Sequence, residues 1–442
     1  MSRNTWIAII AIAVIGVCAL CVGAVLLAGM AYNVFNISTV NSGPFARPAP
    51  NVTASAEEQQ TFEVVAPATL QLSNRFGRVD VRAAENLQGT LQVNMVKNGY
   101  GRTQQEAEAA LNQLQVEASQ TGSVVSLAVS GQDNRGDWQG GSVEFTIEVP
   151  VDTTVVIDSG AGSISLTGTQ GKADLQTDFG EVRVTDFNGG LVVRTASGAV
   201  DVRRIGLLPT GEGDINLRSN FGAISLEDAV TGVLEVTSQS GQVGLQNVEA
   251  SGSVRLQSQF GELRWNTGTA GPLTIDNGNG LIALSNLAVD GDLAATSNFG
   301  EISLTGVQAE NYTLKSDAGR ISADAVRGRV QVQSLQNGIE LSGGEDATLD
   351  LLTRSGDIRY RGSLGAGPHQ VETSFGNVTL SLPQDSAFDA DLSTRFGSIT
   401  TDFSVEASGS TSGNELQGSV NGGGPQLTVT SQNGNIRLDA TP

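Results

Sequence analysis

One short pattern, a glycine followed by alternating apolar residues, returns through most of the chain. It reads GSISL from Gly162, GEVRV from Gly180, GAVDV from Gly198, GAISL from Gly222 and GQVGL from Gly241. It continues as GELRW, GLIAL, GEISL and GRISA from Gly261, Gly280, Gly300 and Gly319, and in shortened form as GIEL from Gly338. GDIRY, GNVTL, GSITT and GNIRL from Gly356, Gly376, Gly397 and Gly434 close the series. Between Gly162 and Gly397, twelve intervals span 235 residues, a mean of 19.6. Self-similarity at such a period is the mark of a solenoid. Each unit carries a second alternating run before its glycine, such as LVVRT (191–195) or SVRLQS (253–258). Period-2 alternation buries one strand face and wets the other. Two half-buried strands cannot cover their own apolar faces, whereas stacking each unit on the next buries a continuous core. The expected fold is therefore all-β: a parallel β-helix or solenoid with coils of about 19–20 residues. The 55 glycines among 442 residues fit its many turns.

The residue before the repeat glycine is Phe at 179, 221, 260, 299, 375 and 396 and small or polar at the others. From Phe179 to Ala318 large and small alternate coil by coil, a pattern that lapses between Ala318 and Ser355 and again at Phe375 and Phe396. Close packing sets large against small, and a Ser or Thr on the same strand face precedes most of the glycines by three residues. These positions are read as core, in preference to an exposed aromatic ladder for stacking sugars. RRIGLLPTGEG (203–213) is expected to bulge from one coil, and a hairpin at about 404–430 to cap the open C-terminal edge. Residues 61–150 read as an N-terminal cap of the solenoid, with one helical stripe in RTQQEAEAALNQLQVE (102–117) from Ala107, Ala110, Leu111 and Leu114. The solenoid itself occupies 151–442.

No charged residue separates Arg3 from Arg47, and residues 6–31 are nearly all apolar. That length spans a bilayer and exceeds the apolar region of a cleaved signal peptide, although Gly29-Met30-Ala31 resembles a cleavage site. The reading is a cytoplasmic tail over 1–5, a transmembrane signal-anchor helix over 6–31 and a Pro-rich linker over 32–60. Arg3 orients the N-terminus to the cytoplasm, so the chain is placed at the cell membrane, single-pass, with its C-terminal part extracytoplasmic. Both cysteines, Cys18 and Cys21, lie within the span as ordinary thiols, which leaves the rest of the chain without disulfides.

At this point the chain resembles the bacterial DUF4097 family of adhesin-like envelope proteins, over most of residues 61–440. The resemblance rests on EAEAALNQLQVE before a strand, the turn VPVDTTVVIDSGAGSISLTG (149–168), the TxxGxIxL coils, and the ending GSVNGGGPQLTVTSQNGNIRL (418–438). It implies a β-helical envelope protein and brings no catalytic residues with it.

Twenty-five Lys and Arg against 46 Asp and Glu give a formal charge of −21, which disfavours nucleic acid as a partner. Parallel β-helices also host glycosidases, whose chemistry needs two carboxyl groups about 5–9.5 Å apart. Asp158, Asp178, Glu181, Glu262, Glu301 and Asp357 lie near the turns, but other coils place Ser, Ala, Gln, Arg or Asn after the glycine, so a solvated acidic stripe is the better account. Asp178-Phe179-Gly180 lacks the rest of a kinase, the Asp positions do not keep a calcium-roll period, and Asn36, Asn51, Asn311 and Asn377 match a glycosylation triplet by chance frequency. The single His369, in a GAGPHQ loop, is expected at the surface. No catalytic, cofactor-binding or metal-binding residue is assigned, and no cofactor is expected. The expected function is a membrane-anchored, surface-exposed, non-catalytic adhesin or scaffold whose partners are envelope or host glycans or a surface protein. One alternative is an envelope-stress sensor or modulator binding cationic peptides or a partner protein. A second is an envelope polysaccharide-active enzyme.

Overall fold

The computed structural model describes residues 52–87, 89–132, 140–208 and 213–442. The apolar stretch 6–31 and the linker as far as residue 51 lie outside the described residues. Among the described residues no helix is long and apolar enough to cross a membrane. We name each coil by the glycine at its turn.

The Gly241 coil shows the repeating plan. Leu234–Ser240 runs to the glycine and Val243–Ala250 runs away from it. The first strand pairs in parallel with Ile215–Phe221 on one side and Val254–Phe260 on the other, and the second pairs with Ile224–Thr231 and Leu263–Ala270. Two facing parallel sheets result, and Leu234, Val236, Val243 and Leu245 meet between them, each at most 2% exposed. The alternation read from the sequence therefore packs as expected. This plan holds in chain order from the Gly162 coil to the Gly376 coil.

Glycine is required at the turn because the coils touch there. A Cβ on Gly241 would lie 2.1 Å from the carbonyl oxygen of Gly222, and one on Gly222 would lie 2.0 Å from that of Gly198. In several coils the Ser or Thr three or, in the shortened Gly338 coil, four residues earlier reaches back by one coil, whereas the hydroxyls of Ser159, Thr195 and Ser258 find no partner. Ser316 Oγ donates to Gly300 O at 3.0 Å, Ser334 Oγ to Gly319 O at 3.1 Å and Thr373 Oγ1 to Gly356 O at 3.1 Å. Each such bond adds about 1 kcal/mol and satisfies a carbonyl that the turn removes from water.

Both ends depart from chain order. At the C-terminal end, Gln426–Asn433 lies between His369–Phe375 and Phe388–Phe396, parallel to both. Ile436–Thr441 likewise lies between Val378–Pro383 and Ile399–Thr401. The Gly434 coil is thus inserted between the Gly376 and Gly397 coils. Thr394 Oγ1 donates to Gly434 O at 2.8 Å and Ser431 Oγ to Gly376 O at 3.1 Å, the same back-reach as elsewhere. The expected hairpin over 404–430 is shorter: Val405–Ser412 pairs with Glu415–Val420, which runs antiparallel to Phe388–Phe396 and covers the edge of its sheet.

At the N-terminal end, Thr69–Phe76 and Val79–Ala83 form a Gly77 coil inside the segment read as a cap. Its strands lie between Val124–Ser130 and Thr154–Ala161 in one sheet, and between Gly140–Val149 and Ile164–Thr167 in the other. NRFGRVDV (74–81) carries the same signature as the series that begins at Gly162. Residues 52–60, read as linker, belong instead to the strand Val52–Glu63, antiparallel to Thr90–Gly101. The helix spans Gln104–Gln113, closed at its start by a capping box between Thr103 and Glu106. Its Ala107 is fully buried, and Cβ atoms on Gly99 or Gly101 would collide with it, so these glycines let the helix rest on the ribbon. Residues 115–117 leave the helix for the strand Gln115–Thr121. The run at 203–205 is also strand, within Val200–Ile205.

Candidate functional site

The phenylalanines before the repeat glycines are not core. Phe179 is 63% exposed, Phe299 69% and Phe396 64%, with Phe221, Phe260 and Phe375 between 50% and 59%. The expectation that these positions are core is wrong, and the reason is a break in the pleat. Thr177 pairs with Thr195 and Phe179 with Ser197, but the intervening Asp178 drops out of the ladder. Thr177 stays buried while Phe179, two residues on, is turned to solvent. Counting by twos fails at the one residue where the backbone leaves strand geometry.

The inserted end coils restore the alternation that seemed to lapse in the sequence. Along one sheet edge Phe76 stands beside Ala161, then Phe179, Ser197, Phe221, Ser240, Phe260 and Asn279. At the far end Ser355 stands beside Phe375, then Asn433, then Phe396. The adjacent sequence coils of Phe375 and Phe396 are thus separated in space by Asn433. The remaining lapse falls around Asn337, where the alternation calls for Phe.

Beside this edge runs an open groove of about 600 Å³ across the coils from Gly222 to Gly300. Two rows of outward side chains line it. Arg218, Thr237, Gln257, Asp276 and Thr296 occupy successive coils in register. Two residues further on, Asn220, Gln239, Gln259, Gly278 and Asn298 form the second row, next to the phenylalanines. Asp276 pairs with Arg255 at 3.1 Å. Arg218 and Asp276 bring one charge of each sign and the other lining side chains are amides and hydroxyls, so the groove has little net charge, on a chain of formal charge −21. The outer face of the other sheet is different. There Arg183 bridges Glu181 (2.5 Å) and Asp201 (3.4 Å), and Arg203 bridges Asp201 (2.8 Å) and Glu227 (3.7 Å). Amides offer a donor and an acceptor together, the pairing that hydroxyl-rich ligands require.

The carboxylates weighed from the sequence scatter over the coils. Glu262 pairs with Arg264 and Asp357 with Arg359, at 2.9 and 2.8 Å. Partial desolvation, with the charges of Asp178 and Asp174, pushes the Asp158 carboxyl above its ordinary value. Among the described residues no group of three His, Cys, Asp or Glu side chains could hold a metal ion.

His369 is not at the surface but 1% exposed. Its Nδ1 accepts from Leu349 N at 3.2 Å and its Nε2 lies 3.1 Å from Gly365 O, which suits the neutral ring with Nε2 protonated. Burial holds the imidazole below its ordinary value, against the opposing effect of the Gly365 carbonyl. A proton on Nδ1 would face the Leu349 N–H, donor against donor. Because the folded pKa is depressed, the unfolded chain takes up a proton that the folded chain refuses as pH falls below about 6.5. Stability is expected to be flat above that pH and to decline below it, towards the lower folded value. Since the chain has one histidine, thermal melts between pH 8 and 5.5 read this group ahead of the ordinary carboxylates. A melting temperature that is constant across that window contradicts the assignment.

The polar groove was missed in the sequence, although its signal was there: Asn or Gln recurs just before the phenylalanines in SNF, SQF and SNF (219–221, 258–260, 297–299). Residues 268–439 match the family model described as Toastrack DUF4097. No curated protein matches the chain in sequence. A solved structure of a "putative cell adhesion protein" from Clostridium sporogenes ATCC 15579 is 10% identical, over 88% of this chain and 100% of its own, with a TM-score of 0.16. A "putative adhesin" from Bacteroides fragilis NCTC 9343 is 11% identical, over 87% of this chain and 97% of its own, with a TM-score of 0.22. At those scores neither likeness carries an argument.

Proposed function

We propose that this chain, of the DUF4097 family through residues 268–439, is a non-catalytic binding rod of the bacterial envelope whose groove holds a neutral glycan. The observation that carries this reading is the composition of the groove: across five coils its two rows are amides and hydroxyls apart from Gly278 and the oppositely charged Arg218 and Asp276, on a molecule that is otherwise strongly acidic. An open, repetitive surface of this kind suits a polymer, because many weak contacts along one chain add up by effective concentration. The apolar stretch 6–31 anchors the rod, which stands outside the membrane.

The test is binding of the purified protein to isolated neutral and charged envelope polysaccharides, with a cationic peptide alongside, at low and high salt. Saturable binding of a neutral polymer that survives high salt is expected. Gln257→Ala with Gln259→Ala removes two adjacent amides and is expected to weaken it about tenfold, a loss of about 1.4 kcal/mol, with the melting temperature unchanged. Capture of the peptide alone, abolished by salt, would instead favour the envelope-stress reading. Polysaccharide turnover would favour the enzyme.

A further inference from the structure

We propose that the phenylalanine edge is a self-association surface, on which a second copy of this chain docks with its rings offset by one coil. This does not rest on the glycan reading, since it uses the rings of the edge and takes from the groove only the absence of charge in the row beside them.

The argument begins with spacing. Strands in a sheet lie about 4.8 Å apart, so rings on alternate coils stand about 9.6 Å apart. Phe179, Phe221 and Phe260 have only Ser197 and Ser240 between them in register. A ring entering above either serine would lie about 4.8 Å from both neighbours, within the roughly 4.5–7 Å range that aromatic pairs favour. A row that alternates large with small is therefore complementary to itself after a shift of one coil. An occupant must also keep step along the rod. A polyproline helix repeats about every 9.3 Å and slips by a few tenths of an ångström per turn, whereas a second copy has the identical period because the same strand spacing sets it.

Area and charge agree with this occupant. Phe179, Phe221, Phe260, Phe299, Phe375 and Phe396 are each half to two-thirds exposed, about 120 Å² apiece. Two such edges would cover on the order of 1,400 Å², the size of a stable interface. Monomeric proteins seldom leave so much aromatic surface in one line. Two copies each carrying −21 repel, yet the positions next to the central rings are the uncharged Asn220, Gln239, Gln259, Gly278 and Asn298. Added salt should accordingly strengthen the contact by screening the remaining charge.

The experiment is sedimentation of the full chain in a mild detergent, over a concentration series, at low and high salt. Wild type is expected to associate reversibly, and more tightly in high salt. Phe221→Ser with Phe260→Ser is expected to weaken association about tenfold or more, with the melting temperature retained because both rings are exposed. The decisive variant is Ser240→Phe, which adds apolar surface but fills a slot, and is expected to weaken association as well. A wild type that stays monomeric throughout overturns the proposal. So does undiminished association of the Phe221→Ser, Phe260→Ser variant, which would place the contact in the N-terminal span. Tighter association of Ser240→Phe would reveal an unspecific sticky edge. Loss of polysaccharide binding by the Phe221→Ser, Phe260→Ser variant, with all proteins monomeric, would make the edge a sugar platform and overturn it too.

Discussion

Truncation after Gly424 is expected to unravel strands that lie well before the cut. The deleted segment supplies the Gly434 coil, which sits between the Gly376 and Gly397 coils. Its Leu427, Val429, Ile436 and Leu438 are fully buried, and burying a Val, Leu or Ile side chain contributes about 1.5–3 kcal/mol. Net domain stability is only about 5–15 kcal/mol, so the loss is of the same order. The strand Phe388–Phe396 would lose its parallel neighbour, and the Glu415–Val420 hairpin strand pairs onto that same strand. Hydrogen exchange checks this directly. Amides across 388–401 and 405–420 should lose protection in the truncated chain, while those of the Gly222 to Gly300 coils keep theirs. A solenoid stacked in chain order gives the opposite result, with 388–401 still protected because only the last coil has gone.

Gly241→Ala is expected to cost about 3 kcal/mol or more, near the upper end for overpacking. The new methyl would lie 2.1 Å from the carbonyl oxygen of Gly222, which is backbone and cannot swing aside. Relief requires the coils to separate, which weakens the bond from Gly222 N to Ser240 O (3.2 Å) and the sheet pairing on either side. Gly244→Ala, in the same coil, is the control: a Cβ there meets nothing within 4 Å. It lies inside the strand Val243–Ala250, where Ala is favoured over Gly by about 0.5–1 kcal/mol. Denaturant midpoints should therefore move in opposite directions for the two substitutions. Equal effects would mean that the turn glycines serve something other than close approach of the coils.

These two expectations differ in how far the sequence could have supplied them. The importance of Gly241 was legible, because the glycine recurs with the period of the coil. Its cause, a neighbouring carbonyl in the space of a side chain, was not. The insertion of the Gly434 coil had only an indirect trace, the adjacent coils with Phe375 and Phe396 that seemed to break the alternation. The groove had a plainer trace in the amides before the phenylalanines, which alternation alone does not distinguish from any solvated strand face. His369 had none. Its flanks look like a loop, and only the packing of Leu349 and Gly365 around the ring removes it from water.

By itself the sequence determined the coil: its length, its two half-buried strands and the glycine at its turn. Those features repeat, so the contacts they make are the same from coil to coil, and a local pattern is enough to specify them. Tertiary structure decided which coil lies next to which at the two ends. The repeated edges are nearly interchangeable, and the choice among them depends on pairings between residues far apart in the chain, such as Thr69–Phe76 with Val124–Ser130. It also decided which way the phenylalanines point, because one residue per coil, Asp178 in the Gly180 coil, leaves the pleat. Side-chain periodicity assumes an unbroken strand, and at the corner of a coil the backbone does not provide one.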